Sequence, residues 1–107
     1  MRLPLATFTT AALLGISQPA LAVTEIQWWH SMGGALGEWV NDLANDFNAS
    51  QTQYRIVPTF KGSYDESMTA AIAAFRSGNA PHILQVFEVG TATMMASKGA
   101  IVPVGKV

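Results

Sequence analysis

Three times along this chain a short run of β-favouring residues gives way, at a glycine, to a stretch whose apolar residues recur every three or four positions. The first run is Thr24-Glu25-Ile26-Gln27-Trp28-Trp29, broken at Gly33-Gly34. Behind it Leu36, Trp39, Val40, Leu43 and Phe47 form one apolar stripe with polar residues between them, which predicts an amphipathic helix from Ala35 onward. The second run spans Tyr54 to Phe60 and is weakened by Pro58, because proline cannot donate to a ladder. Lys61-Gly62 turns the chain, and Ser63 and Glu66 stand at the spacing of a capping box. The helix this box opens carries Met68, Ala71, Ile72 and Phe75 on one face and ends at Gly78, a residue suited to the left-handed position after a helix. His82 to Phe87 is the third run. Past Val89-Gly90 a helix is expected from Thr91, closing at Gly99, with a further extended segment starting at Ile101. This order predicts an α/β fold of three β-α units forming a parallel open sheet with right-handed crossovers.

The first 22 residues stand apart from the alternation. Arg2 supplies a short positive region, Leu3 to Ile16 is apolar apart from three threonines, and Pro19 precedes Ala20-Leu21-Ala22, an A-x-A signature. Residues 1–22 therefore read as a secretory signal peptide cut after Ala22. The apolar stretch falls short of the roughly 18 or more residues a span requires, so no membrane anchor is expected. The chain has no cysteine, which excludes a disulfide framework, a thiol site and a lipid-modified cysteine after the leader. Six basic and seven acidic side chains give a charge of −1, or −2 once Arg2 is removed, with no basic cluster. Nucleic acid and anionic membrane surfaces are excluded as partners on that balance. An open parallel sheet of about three strands also leaves edges and faces that its own helices cover incompletely, so residues 23–107 are expected to be part of a larger fold.

Glu88 is the most telling polar position. It ends the apolar run Ile83-Leu84-Gln85-Val86-Phe87 and stands just before a predicted helix. A carboxylate there is costly unless it meets a partner, and ligands of open α/β sheets bind beyond the carboxyl ends of the strands. The position points to a small-molecule site, and is also compatible with a favourable place at a helix N-terminus. Trp29, His30, Ser31 and Lys61 are candidate cleft-lining residues. Alternation puts Trp28 and His30 on one face of the first strand and Trp29 and Ser31 on the other, so one tryptophan is core and the other is free to line the cleft mouth. His30-Ser31 beside Gly33-Gly34 is either plain structure or an anion site at a helix start. Lys61 is either a solvated turn residue or a rim cation. Catalysis has little support: Ser31 and His30, adjacent in a strand, point apart and cannot pair as in a hydrolase triad with Glu88, and no G-x-S-x-G elbow is present. No metal site is expected, because His30 and His82 lie far apart and no ligand pair has helix spacing.

Several stretches resemble the N-terminal part of the periplasmic solute-binding proteins of ABC importers, and within them the branch that binds sn-glycerol-3-phosphate. They are Trp29-His30-Ser31-Met32 before Gly34, Ile56-Val57-Pro58-Thr59 with Lys61-Gly62, Ala71 to Arg76, and the long run from Gly78-Asn79-Ala80-Pro81 through Glu88-Val89-Gly90 to Lys98. The resemblance implies two α/β lobes closing on one ligand about a hinge, with this chain about the first quarter and residues 23–107 an incomplete first lobe. It implies capture of glycerol-3-phosphate, and of glycerophosphodiesters, in the periplasm. It also implies delivery to membrane permease subunits, a monomeric protein, no cofactor and no chemistry. Carried onto matching positions, the ligand contacts fall on Tyr64 and Glu88. A phenol can donate, accept and lie flat against a three-carbon chain, and an ionised carboxylate accepts from hydroxyls. Gly33 departs from the glutamate common at its position, which matters little at the start of a helix. A sugar or oligosaccharide ligand, or a piece of a secreted α/β enzyme, are the alternatives.

Overall fold

The computed structural model describes residues 21–106, so the expected leader lies, but for its last two residues, outside the described residues. Strand β1 (Thr24–His30) leads to helix α1 (Gly34–Ser50), β2 (Tyr54–Phe60) to α2 (Tyr64–Arg76), and β3 (Ile83–Leu84) through a 3-10 turn (Glu88–Gly90) to α3 (Thr91–Ala96). A second 3-10 turn spans Val104–Lys106, where an extended segment was expected. The three strands form one parallel sheet in the order β2-β1-β3. The expected α/β class and open parallel sheet are what the chain adopts. With β1 central, right-handed crossovers put α1 and α2 on opposite faces.

Strand β3 is much shorter than the apolar run that encodes it, and side chains extend its ladder at both ends. The His82 amide donates to the Gln27 carbonyl, and the Gln27 amide donates to Nδ1 of His82, both at 3.0 Å. Two residues on, the Gln85 amide donates to the Trp29 carbonyl, and the Ser31 amide donates to Gln85 Oε1 at 2.9 Å. An imidazole and a carboxamide thus satisfy β1 groups that a longer strand would have paired. Beyond Gln85 the chain leaves the sheet.

Pro58 is explained by the edge. The Lys61 amide donates to the His30 carbonyl, so odd-numbered β2 residues bond towards β1, while even-numbered ones face the open side. There Asn48 Oδ1 accepts from the Ile56 amide at 2.7 Å and its Nδ2 donates to the Ile56 carbonyl at 2.9 Å. Gln51 clamps Tyr54 in the same two-way fashion. Pro58 is next in that series, so its missing N–H removes no ladder bond and leaves one fewer donor on an exposed edge. Asn48→Ala is expected to lower stability by about 1–3 kcal/mol, because both half-buried Ile56 groups lose their partner. An unchanged denaturant midpoint would show that water replaces the amide fully.

Small residues set the contacts between helices and sheet. Val40 and Ala44 of α1 are each 2% exposed, and Ser67 and Ala71 of α2 are likewise buried. Each pair is spaced i, i+4, on one helical face. The predicted stripe of α1 is correct in its period but rotated in its burial. Val40 is buried, whereas Leu36, Trp39, Leu43 and Phe47 remain substantially exposed, Trp39 at 62%. Helix α2 begins in the expected capping box: the Ser63 amide donates to Glu66 Oε2 at 2.7 Å and Ser63 Oγ accepts from the Glu66 amide. Hydrogen bonding of the carboxylate to the Ser63 backbone foremost, and to the Ser63 side chain, holds the Glu66 carboxyl below its ordinary value. Helix α2 ends as expected, with Gly78 at φ +76° and the Asn79 amide donating back to the Ala74 carbonyl.

Candidate functional site

All three strands run in parallel, so their carboxyl ends share one rim, from which the segments around Ser31, Lys61–Tyr64 and Gln85–Glu88 emerge. Tyr64 is the first residue of α2 and half-buried, and its ring stacks on Phe87 with centroids 5.1 Å apart and planes 21° from parallel. Phe87 directly precedes Glu88. A residue that follows β2 and one that follows β3 are thus joined across the rim by an aromatic pair, a geometry worth about 0.5–1.5 kcal/mol beyond area burial.

Behind this pair the packing is close. A Cβ on Gly90 would lie 2.8 Å from Phe87 Cε1 and 3.0 Å from Met68 Sδ, so only glycine lets the 3-10 turn approach α2 this closely. The Gly90 amide and the Thr91 hydroxyl both donate to the Phe87 carbonyl, which fixes the turn that presents Glu88. Glu88 itself is exposed. The burial cost that made its position notable in the sequence is therefore not incurred; water solvates the carboxylate, and it remains free to accept from a ligand.

The four candidate lining residues divide. Trp29 and Lys61 lie together, with the lysine ammonium 4.0 Å from the indole centroid, a cation–π contact. His30 is only 3% exposed and packs between Trp28 and Phe60, at centroid distances of 6.0 and 6.1 Å. Its Nδ1 accepts from the Met32 amide at 3.2 Å. Burial pushes the imidazole below its ordinary value. Ser31 is half-buried, its amide held by Gln85 and its Oγ buried with no hydrogen-bond partner among the described residues. Trp28 and His30 share one face, as alternation predicts, and Trp28 lines an apolar hollow with Leu43, Phe47 and Ile83. Among the described residues no cluster of three metal-ligating side chains occurs, and no helix is long and apolar enough to cross a membrane.

Phe87 and Gln85 were not singled out by sequence reasoning, which saw in them only strand residues. A glutamine interrupting an apolar run was the available signal for one. For Phe87 there was none, since only the fold brings residue 87 onto residue 64.

In open α/β sheets ligands bind in the crevice beyond the carboxyl ends of the strands, and the aromatic pair and exposed carboxylate lie on that rim here. The relatives are ligand-binding proteins. Over 97 residues the chain is 63% identical to the sn-glycerol-3-phosphate-binding periplasmic protein UgpB of Yersinia enterocolitica, an alignment covering 91% of this chain and 22% of that protein. The Yersinia pestis protein of the same name is 62% identical over 97 residues, again 91% of this chain and 22% of its own length. That of Brucella suis is 53% identical over 104 residues, 92% of this chain and 24% of that protein. The chain is homologous to these binding proteins and spans about a quarter of their length or slightly less. No protein-family model matches it.

Proposed function

We propose that this chain is part of the first lobe of a periplasmic solute-binding protein that captures sn-glycerol-3-phosphate, and glycerophosphodiesters, for an ABC importer. The observation that carries the reading is the Tyr64–Phe87 stack beside exposed Glu88 on the carboxyl rim of the sheet. Tyr64 offers a flat face to the three-carbon chain and a phenol to its hydroxyls, while Glu88 accepts from the glycerol hydroxyls. Glu88 repels a phosphate by about 4 kcal/mol per unit-charge pair at 4 Å in a surface-like dielectric, so the phosphate lies away from it. Residues of the second lobe complete its grip.

Similarity to sn-glycerol-3-phosphate-binding proteins of Yersinia and Brucella supports the ligand class. Export follows from a leader at residues 1–22, leaving Val23 as the first mature residue. The mechanism is closure of two lobes on the ligand, after which the closed form is presented to the permease. No chemistry is assigned. His30 is turned into packing and spends Nδ1 on a backbone amide, which leaves Ser31 without a base and supports binding over hydrolysis.

Calorimetry on the full-length protein with glycerol-3-phosphate, a glycerophosphodiester and maltose tests this reading. Saturable one-to-one binding of glycerol-3-phosphate without turnover is expected. Binding of maltose alone, or turnover of any of the three, would overturn it.

A further inference from the structure

We propose that Lys61, seated on the Trp29 ring, receives the anionic end of the ligand, so that the bound molecule lies along the rim with its phosphate towards β2 and its hydroxyls towards β3. This rests on the binding function proposed above. Lys61 follows the last residue of β2, and its amide is tied to the His30 carbonyl at 2.9 Å, which anchors its backbone at the carboxyl end of the sheet. Among the described residues the ammonium is held by an aromatic face rather than by a carboxylate. An indole face orients a lysine cation yet satisfies none of its three N–H donors, so all of them stay available to an oxyanion. Glu66, one of the two acids in the first turn of α2, is committed to the Ser63 amide.

The polarity of the rim follows from strand order. Because β1 lies between β2 and β3, the carboxyl ends of β2 and β3 are about 10 Å apart, two strand spacings, with Lys61 directly after the first and Glu88 four residues beyond the second. The stacked rings of Tyr64 and Phe87 span the gap between the segments that follow these strands. A cation at one end, an aromatic platform between and a carboxylate at the other match a short polyol phosphate and fix its direction. The reverse orientation sets phosphate against Glu88 and leaves the ammonium facing hydroxyls.

The test is a titration of the full-length protein and its Lys61→Met and Lys61→Arg variants with sn-glycerol-3-phosphate at low and high salt. Methionine keeps an unbranched chain against Trp29 without the charge. It is expected to weaken binding about tenfold at low salt, the loss of one charge-assisted contact, and to flatten the salt dependence. Arginine keeps the charge and the ring contact and is expected to stay within about twofold of the unsubstituted protein. Thermal midpoints within a few degrees of each other show that the fold is kept. If the unsubstituted protein binds and Lys61→Met binds equally well at both salt concentrations, the role of Lys61 falls while the binding function stands. If the unsubstituted protein does not bind glycerol-3-phosphate, both fall.

Discussion

Removing the carboxylate of Glu88 from the full-length protein is expected to weaken glycerol-3-phosphate binding by about two orders of magnitude without changing stability. Two hydroxyls donating to one ionised acceptor amount to about 3–4 kcal/mol at the lower values for charge-assisted bonds, which is a few-hundredfold in Kd. Glu88 is exposed and opens a 3-10 turn held by backbone and Thr91 contacts to Phe87, so Glu88→Ala should move the unfolding free energy by less than about 0.5 kcal/mol. Glu88→Gln keeps the shape and one acceptor oxygen but loses the charge, and an intermediate loss of about tenfold is expected. Calorimetric Kd values for both variants at one salt concentration decide the matter. Unaltered affinity in Glu88→Gln and Glu88→Ala would remove Glu88 from the site.

A methyl group added at Gly90 should act on stability and binding together. The new Cβ would stand 2.8 Å from Phe87 Cε1, 3.1 Å from Phe87 Cδ1 and 3.0 Å from Met68 Sδ. The methionine can swing away, but Phe87 is stacked on Tyr64, so displacing its ring disturbs the stack. Overpacking of this kind costs about 1–3 kcal/mol. If Tyr64 meets the ligand, its displacement should lower affinity as well, by more than the loss of folded protein explains. Gly105→Ala is the control, since nothing lies within 4 Å of a Cβ there. Equal thermal midpoints for Gly90→Ala and Gly105→Ala would mean that the turn shifts without strain and that the close packing is incidental.

The two variants probe different kinds of information in the chain. Glu88 was legible because a charge at the end of an apolar run violates the expected pattern, whatever the fold around it. Gly90 looked like ordinary turn punctuation. Its φ of −75° is open to any residue, so no backbone requirement betrays it, and its importance arises from side chains that approach from α2 and from Phe87. The same contrast separates Tyr64 from Phe87. Tyr64 could be placed near a strand end by its spacing from the capping box, whereas Phe87 gained its role only when β3 ended early and the chain turned under α2. Burial was the least legible property. The period of α1 was plain, but which of Leu36, Trp39, Val40, Leu43 and Phe47 would face the sheet depends on how the helix rolls, and the roll adopted turns Val40 and Ala44 inward.

By itself the sequence determined the alternation of strands and helices, the parallel pairing that follows from it, the capping box at Ser63 and Glu66, and the turn at Gly78. These are local: each depends on the period of apolar residues or on a hydrogen bond within a few positions. Tertiary structure alone decided that β1 is central, that Pro58 falls on an outward-facing edge position guarded by Asn48 and Gln51, that His82 and Gln85 extend a two-residue strand with their side chains, and that Lys61 sits on Trp29. Each of these joins residues that belong to different elements, and such contacts follow from the path of the whole chain rather than from the propensity of any one segment.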